Sequence, residues 1–362
     1  MAGYLSVWRD APATATAKTD ILDIVVAISE RVPWQVARRM LEVHGVSPRS
    51  GWSNTIEEVK LRESFKGLDV DGLYEAFVQH ACCGEKSVRV YDLGANADTL
   101  REKLSAEAQL SRMPRPSLKD KIQKSDPTEP ALICVLQKPE GLFGIFGAIR
   151  EHDHQTPLKT ESLPEAARAA FPGVDEIIAI RSEMFQSYAA IWMPSGSQIV
   201  EVRVDHFVNH SQQSLVDFHQ QMYVKLHAMS GSKAAIAPRE LFPAIKNLYD
   251  AENEGIVMEL AFVTTTGSVK HERMRSHDSL RKERYHVGGK EALATEIEPF
   301  RLGVRWSREY LGSRQYNAPE LHLEGTLPMA SSQSPGLTKF LVRKAAGIED
   351  YDWVRDKLFE HL

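Results

Sequence analysis

The sequence predicts an α+β protein, with a small N-terminal helical bundle followed by a mixed, mainly antiparallel sheet domain with flanking helices. Three observations carry this expectation. Apolar residues recur at helical spacing near the start, as in Ile21, Ile24, Val25 and Ile28. From Ala131 the apolar period falls to two, in segments joined by turns too short for a parallel crossover. The order of strands and then helices also occurs twice, which suggests two similar halves, although no residue-level repeat is visible.

In the first 100 residues, Thr19 and Asp20 offer N-caps ahead of ILDIVVAISERV. Pro33 suits a first helical position for WQVARRMLEVHG, which Gly45 would end. Thr55 is expected to cap IEEVKLRESF, with Glu57 and Glu58 placed where the helix dipole favours them. Asp69 or Asp71 opens a fourth helix, and SVRVYDL alternates like a strand or an extended exit from the bundle. LREKLSAEAQL reads as one more helix. Prolines 114, 116, 127 and 130 then stand among charged and small residues, a linker composition.

Beyond the linker, ALICVLQK and GLFGIFGAIR read as buried strands, and Leu163 to Phe171 as a short helix. EIIAIRSEMF, SYAAIWM and QIVEVRVDHF read as three further strands. Ser211 to Ser230 is a helix with Leu215, Phe218, Met222 and Leu226 on one side, and ELFPAIKNLYDAE is a second. GIVMELAFVTTTGSV, FRLGVRWS and ELHLEGTL supply strands, while LTKFLVRKAAG and DYDWVRDKLFEHL read as helices. The division is therefore 1–100 helical, 101–130 linker and 131–362 antiparallel α+β, with halves about 131–252 and 253–362. Proteolysis between Arg112 and Glu129 is expected to give two stable fragments.

Composition excludes several classes. With 43% hydrophobic and 26% charged residues the chain is globular rather than disordered. No apolar run reaches the roughly 20 residues of a membrane span. The N-terminus lacks the pattern of a secretory signal, so a cytoplasmic protein without a membrane partner is expected. Cys82, Cys83 and Cys134 do not read as a disulfide framework or a zinc set, and buried, inert thiols are expected.

Catalytic and metal signatures are weak. His206 and His210, with Asp205 and His219, invite a metal, but position 207 is Phe where HExxH would need Glu. His152 and His154 flank Asp153 in a polar turn. Asp175 followed by Glu201-Val-Arg203 faintly resembles a restriction-type nuclease core. However, Arg is a poor substitute for the Lys of that pattern, and a paired charge on a solvated sheet face explains Glu201 and Arg203. Gly141, Gly144 and Gly147 fit a strand with close backbone contacts better than a phosphate loop. No catalytic residue, metal or cofactor is expected.

Nucleic acid offers the stronger lead. VARRMLEVHGV, SPRSGW and TIEEVKLR together resemble in outline a SAP-type helix–extended loop–helix. That resemblance implies basic contacts by Arg38, Arg39, Arg49 and Lys60, against which stand Glu57, Glu58 and a plain bundle used for protein contacts. The segment 270–290 is more concentrated. It holds seven Lys/Arg and three acidic residues, a net charge of +4 on a chain of net −5. Such a patch points to a polyanion, with a solvated, salt-bridged hairpin or loop as the alternative. Lys270, Arg273, Arg275, Arg281, Lys282 and Arg284 are the expected phosphate contacts, and Tyr285 the expected stacking residue. Glu272, Asp278 and Glu283 are competing partners for those arginines.

The expected function is therefore a non-catalytic, nucleic-acid-associated binding protein. Its basic segment meets nucleic acid, and its N-terminal helical domain meets a protein partner. The alternatives are a protein–protein adaptor in a defence or chromosome-associated assembly and a divergent metal-dependent nuclease. Oligomeric state is left open.

Overall fold

The computed structural model describes residues 17–62, 66–110, 128–206, 212–293, 296–310, 316–333 and 336–362. Four helices come first: α1 (Ala17–Arg31), α2 (Trp34–Val43), α3 (Trp52–Leu61) and α4 (Val70–Cys83). Ile21, Ile24, Val25 and Ile28 are buried on α1, as their spacing requires. Pro33 is the residue before α2, and Gly45 ends that helix at φ +82°, a conformation that favours glycine. Asp69 caps α4 by accepting from the Gly72 N–H.

Thr55 differs from expectation, because α3 begins at Trp52 and Thr55 lies inside it. Its hydroxyl accepts from the Arg49 N–H at 2.9 Å and donates to the Gly51 carbonyl at 2.8 Å. The side chain thus fastens the preceding turn to the helix from one turn within.

Strand β1 (Lys86–Asp92) and α5 (Asn96–Leu110) follow. Next come β2 (Ala131–Lys138), β3 (Gly141–Lys159), α6 (Glu165–Ala169), β4 (Glu176–Pro194), β5 (Ile199–Asp205), α7 (Gln212–Ser230) and α8 (Pro243–Asp250). The remainder supplies β6 (Ile256–Val263), β7 (Val269–Arg273), α9 (Arg284–Glu291), β8 (Glu298–Arg305), β9 (Arg308–Glu309) and β10 (Tyr316–Asn317). It closes with β11 (Glu320–Glu324), α10 (Leu327–Ala330), β12 (Phe340–Arg343) and α11 (Ile348–Glu360).

Ten strands join in one antiparallel sheet, ordered β2-β3-β4-β5-β1-β12-β11-β8-β6-β7, and β9 pairs with β10 separately. The α+β class read from the sequence is the fold observed. β1 falls within the stretch 1–100, yet it is the seam of the sheet. Lys86 faces Asp205 of β5 on one edge and Val342 of β12 on the other. Strands from 131–252 build one flank and strands from 253–362 build the other. The linker stretch 101–130 begins inside α5, and its residues 111–127 lie outside the described residues.

Two expected elements are corrected. EIIAIRSEMF and SYAAIWM form one continuous strand, β4, because β3 pairs with it from Gly141↔Pro194 to Lys159↔Glu176. LTKFLVRKAAG carries helix-like apolar spacing but supplies strand β12. Phe340, Leu341 and Val342 pair with β1 on one side, and Leu341 and Val342 with β11 on the other, and all three are buried. Pairing on both edges overrides the local preference.

Helices cover the two flanks differently. Val200, Val202 and Val204 pack under α5 and α7 through Leu100, Leu104, Leu215, Phe218 and Met222. The bundle, α8 and α11 share a larger core with Val88, Leu302, Val304, Leu321 and Val342. On the second flank the residues alternating with those core positions form a polar face: Glu259, Arg301, Arg305, Glu320, His322, Glu324 and Arg343. Beyond the sheet, β3 and β4 continue as a two-stranded ribbon, since β2 reaches only Gly147 and β5 only Ala189.

Candidate nucleic-acid interface

The basic segment is structured, not an open loop. It runs from β7 through a 3-10 turn at Leu280–Lys282 into α9. Alternation along β7 sends His271 and Arg273 to the polar face of the sheet and Lys270 and Glu272 to the opposite side. His271 Nε2 lies 2.8 Å from Glu259 Oε1, and an Arg273 NH2 donates to Glu259 Oε2 at 3.1 Å. Arg301 stands 3.7 Å from the same carboxylate.

Burial pushes the Glu259 carboxyl up. The His271 hydrogen bond and the charges of Arg273, His322 and Arg301 outweigh that and hold it below the usual carboxylate range. Glu320 is the second buried acid on this face. Burial again opposes its charge, but bonds from His322 at 3.2 Å and Lys344 at 2.8 Å bring its pKa down to about 2.

The layering has a direction. The Glu259 and Glu320 side chains are 5% and 2% exposed, whereas Arg273 is 66% and His271 50% exposed. Carboxylates lie against the sheet and cations stand above them. What meets solvent is therefore the positive layer.

The acids expected to compete for the arginines are engaged elsewhere. Glu272 Oε2 is 2.6 Å from His286 Nδ1, and His286 Nε2 is 2.8 Å from the Tyr249 hydroxyl. Glu283 caps α9 by accepting from the His286 N–H at 2.7 Å, and Asp278 accepts from Ser276. Lys270, Arg273, Arg275, Lys282 and Arg284 are exposed, and so is Tyr285 at 76%.

Arg281 stands apart from the other predicted contacts. Its Nε donates to the Tyr249 carbonyl, NH1 to those of Glu254 and Gly255, and NH2 to that of Leu248, at 2.5–3.0 Å. Four of its five donors close the end of α8 and the turn into β6, where backbone carbonyls would otherwise lack partners.

Sequence reasoning missed Arg301, Arg305, Arg343 and Lys344. Each belongs to or directly follows a short alternating strand; Arg301 shares Glu259 with Arg273, while Arg305, Arg343 and Lys344 lie farther along the flank around Glu320. The faint signal was a basic residue at an alternate position in FRLGVR and FLVRK.

Other candidates resolve as structure. Glu201 and Arg203 share one face as expected, but that face is buried rather than solvated. Arg203 Nε donates to Glu201 at 2.9 Å, its guanidinium lies 3.7 Å from the Tyr351 ring centroid, and the Tyr351 hydroxyl donates to Glu201 at 2.7 Å. Asp175 belongs to the ribbon end, where its carbonyl accepts from the Thr160 N–H. Asp205 accepts from Lys86, from Arg31 at 2.5 Å and from the Tyr188 N–H at 2.6 Å.

His210 lies outside the described residues, and the side chains of His152 and His154 are likewise not described. Among the described residues, no group of three His, Cys, Asp or Glu could hold a metal ion. Ser87 Oγ is 2.8 Å from His219 Nε2, but His219 Nδ1 has no partner among the described residues. That buried pair therefore lacks the third group that orients a catalytic base. Burial pushes the thiols of Cys82, Cys83 and Cys134 up, to about 11, 12 and 11.

In the helical region, Arg38 pairs with Glu42 at 3.1 Å, Arg49 with Glu58 at 3.1 Å and Lys60 with Glu57 at 3.8 Å. Arg39 donates to Asn317 of β10. The four basic groups of the SAP-like outline thus each have a partner within the chain. No described helix is long and apolar enough to cross a membrane. No protein-family model matches the chain, and no curated protein matches it.

Proposed function

We propose that the protein is a non-catalytic, nucleic-acid-associated binding protein whose contact surface is the second flank of the sheet. Arg273 would bind phosphate from the polar face, and Lys270 from the opposite side of the edge strand β7. Arg275, Lys282 and Arg284 would bind from the turn and α9 that follow, with Tyr285 stacking on a base. Arg281 supports the surface from within. The single observation that carries this reading is the cation layer lying over buried carboxylates. Phosphate contacts position without specifying, so weak sequence preference goes with this chemistry.

A mobility shift repeated across salt tests it. Each duplex phosphate neutralised steepens the fall of log affinity with log salt by about 0.9. Arg273→Ala with Arg284→Ala should flatten that slope by about two and weaken unrelated sequences alike. Absence of binding at low salt would remove this reading.

The adaptor reading has its own support. Ile178 and Ile180 are 56% and 61% exposed on one face of the β3–β4 ribbon. Phe171 and Val174 are exposed at its end. A two-stranded ribbon is marginally stable alone in water, and an exposed apolar stripe on it suits a protein partner. Cross-linking at the ribbon, in the absence of nucleic acid, would decide for that role.

A further inference from the structure

We infer that the junction of β1 and β12 on the polar face of the sheet is a binding site for a phosphate-class oxyanion, formed by Arg89, Lys339 and His206. This site does not rest on the nucleic-acid reading of segment 270–290, because four strands separate β1 from β7.

Register places the groups together. Val88 pairs with Phe340 at the end of the ladder, and Arg89 and Lys339, the next residue on each chain, are close enough for the charge of Arg89 to act on Lys339. Ser87 pairs with Val204 on the other edge, and the His206 N–H continues that ladder by donating to the Glu85 carbonyl at 2.9 Å. Alternation sends Ser87, Arg89, Lys339 and His206 to one face. His219 of α7 reaches it as well, through its contact with Ser87 at 2.8 Å.

Three buried nitrogens here have no hydrogen-bond partner among the described residues: Arg89 Nε, His206 Nδ1 and His219 Nδ1. Unsatisfied buried polar atoms are uncommon, and three in one place indicate a missing acceptor. Glu324 acts on Lys339 and also lies 3.9 Å from Arg301, the Tyr91 hydroxyl is hydrogen-bonded to Arg89, and Glu85 is taken by Arg343 at 3.3 Å and by the Lys344 N–H.

The field is positive. Burial, Arg343 and Lys339 bring His206 down to about 4, and burial with Arg89 and Lys339 holds His219 well below the ordinary imidazole range. A tetrahedral oxyanion supplies several acceptor oxygens for these nitrogens and a negative charge opposite Arg89 and Lys339. Arg89, Lys339 and His206 are half-buried, which leaves an approach from solvent.

The probe is inorganic phosphate, added to the full chain against chloride at matched ionic strength and followed by thermal unfolding. At ten times Kd the melting temperature should rise by about 2–4 °C. Arg89→Gln with Lys339→Gln should weaken phosphate at least tenfold. Lys339→Arg, which keeps the charge, should retain the shift and guards against loss through misfolding. A single-stranded oligonucleotide titrated into the same variants distinguishes the source. Loss of phosphate binding with oligonucleotide binding kept assigns the site to a small phosphate ligand. Loss of both assigns it to a nucleic-acid phosphate. An equal phosphate shift in wild type and double variant, or no shift in wild type, overturns the proposal.

Discussion

Arg31, in the last turn of the first helix, places a guanidinium nitrogen 2.5 Å from the carboxylate of Asp205 at the end of β5. Lys86 of β1 reaches the other oxygen of the same carboxylate. One acid therefore ties the helical bundle, the seam strand and the first flank together. All three side chains are nearly inaccessible, so their charges are compensated by one another rather than by water.

Asp205→Asn should be strongly destabilising, because it leaves two buried cations without a full counter-charge. A loss of about 3–5 kcal/mol in chemical denaturation is expected. The pH dependence has a defined sign. Arg31 and Lys86 outweigh burial and hold the Asp205 carboxyl below its ordinary value. Its contribution is therefore present above the unfolded carboxylate pKa of about 3.9 and fades as pH falls below it.

Three histidines should act at milder acidity. His80 is brought down to about 3 by burial and by Arg31, His206 to about 4, and His219 well below the ordinary range. The unfolded chain takes up protons on these groups below about pH 6.5 and the folded chain does not. Stability should then fall with pH by up to about 4 kcal/mol per unit between pH 6 and pH 4. Urea unfolding across that range checks this, and His219→Gln should make the slope shallower.

Arg281→Ala separates structure from binding. Losing four donors to the carbonyls around α8 should destabilise by about 2–4 kcal/mol. The salt slope of nucleic-acid binding should be unchanged, in contrast to Arg273→Ala with Arg284→Ala. Denaturation and mobility shift on the same samples provide both readings.

The helices of the bundle were legible because each carries its own signals, such as the α1 stripe, Gly45 and the Asp69 cap. The charge excess at 270–290 was equally local. What escaped depended on distant pairing. β12 carries helix-like spacing and becomes a strand between β1 and β11. The cations at 301, 305 and 343 look isolated in sequence and come to share one face with Glu320 and Glu324 through register. Arg281 reads as a member of the basic run, although its partners are carbonyls 26 to 33 residues earlier. Charge composition names the residues of a patch but not the direction each side chain takes.

The position of β1 changes what proteolysis should yield. The proline-rich composition between Arg112 and Glu129 still predicts the first cut there. Lys86–Asp92, however, pairs with β5 along seven residues and with β12 at Lys86, Ser87 and Val88. Helix α5 also packs through Leu100 and Leu104 into the core shared with α7. A nick in the connecting stretch would leave all of these contacts intact. The two fragments should therefore co-elute in size-exclusion chromatography as one particle and separate only in denaturant. Independent elution in native buffer would show that the helical region and the sheet are separable units, as the linker composition by itself suggests.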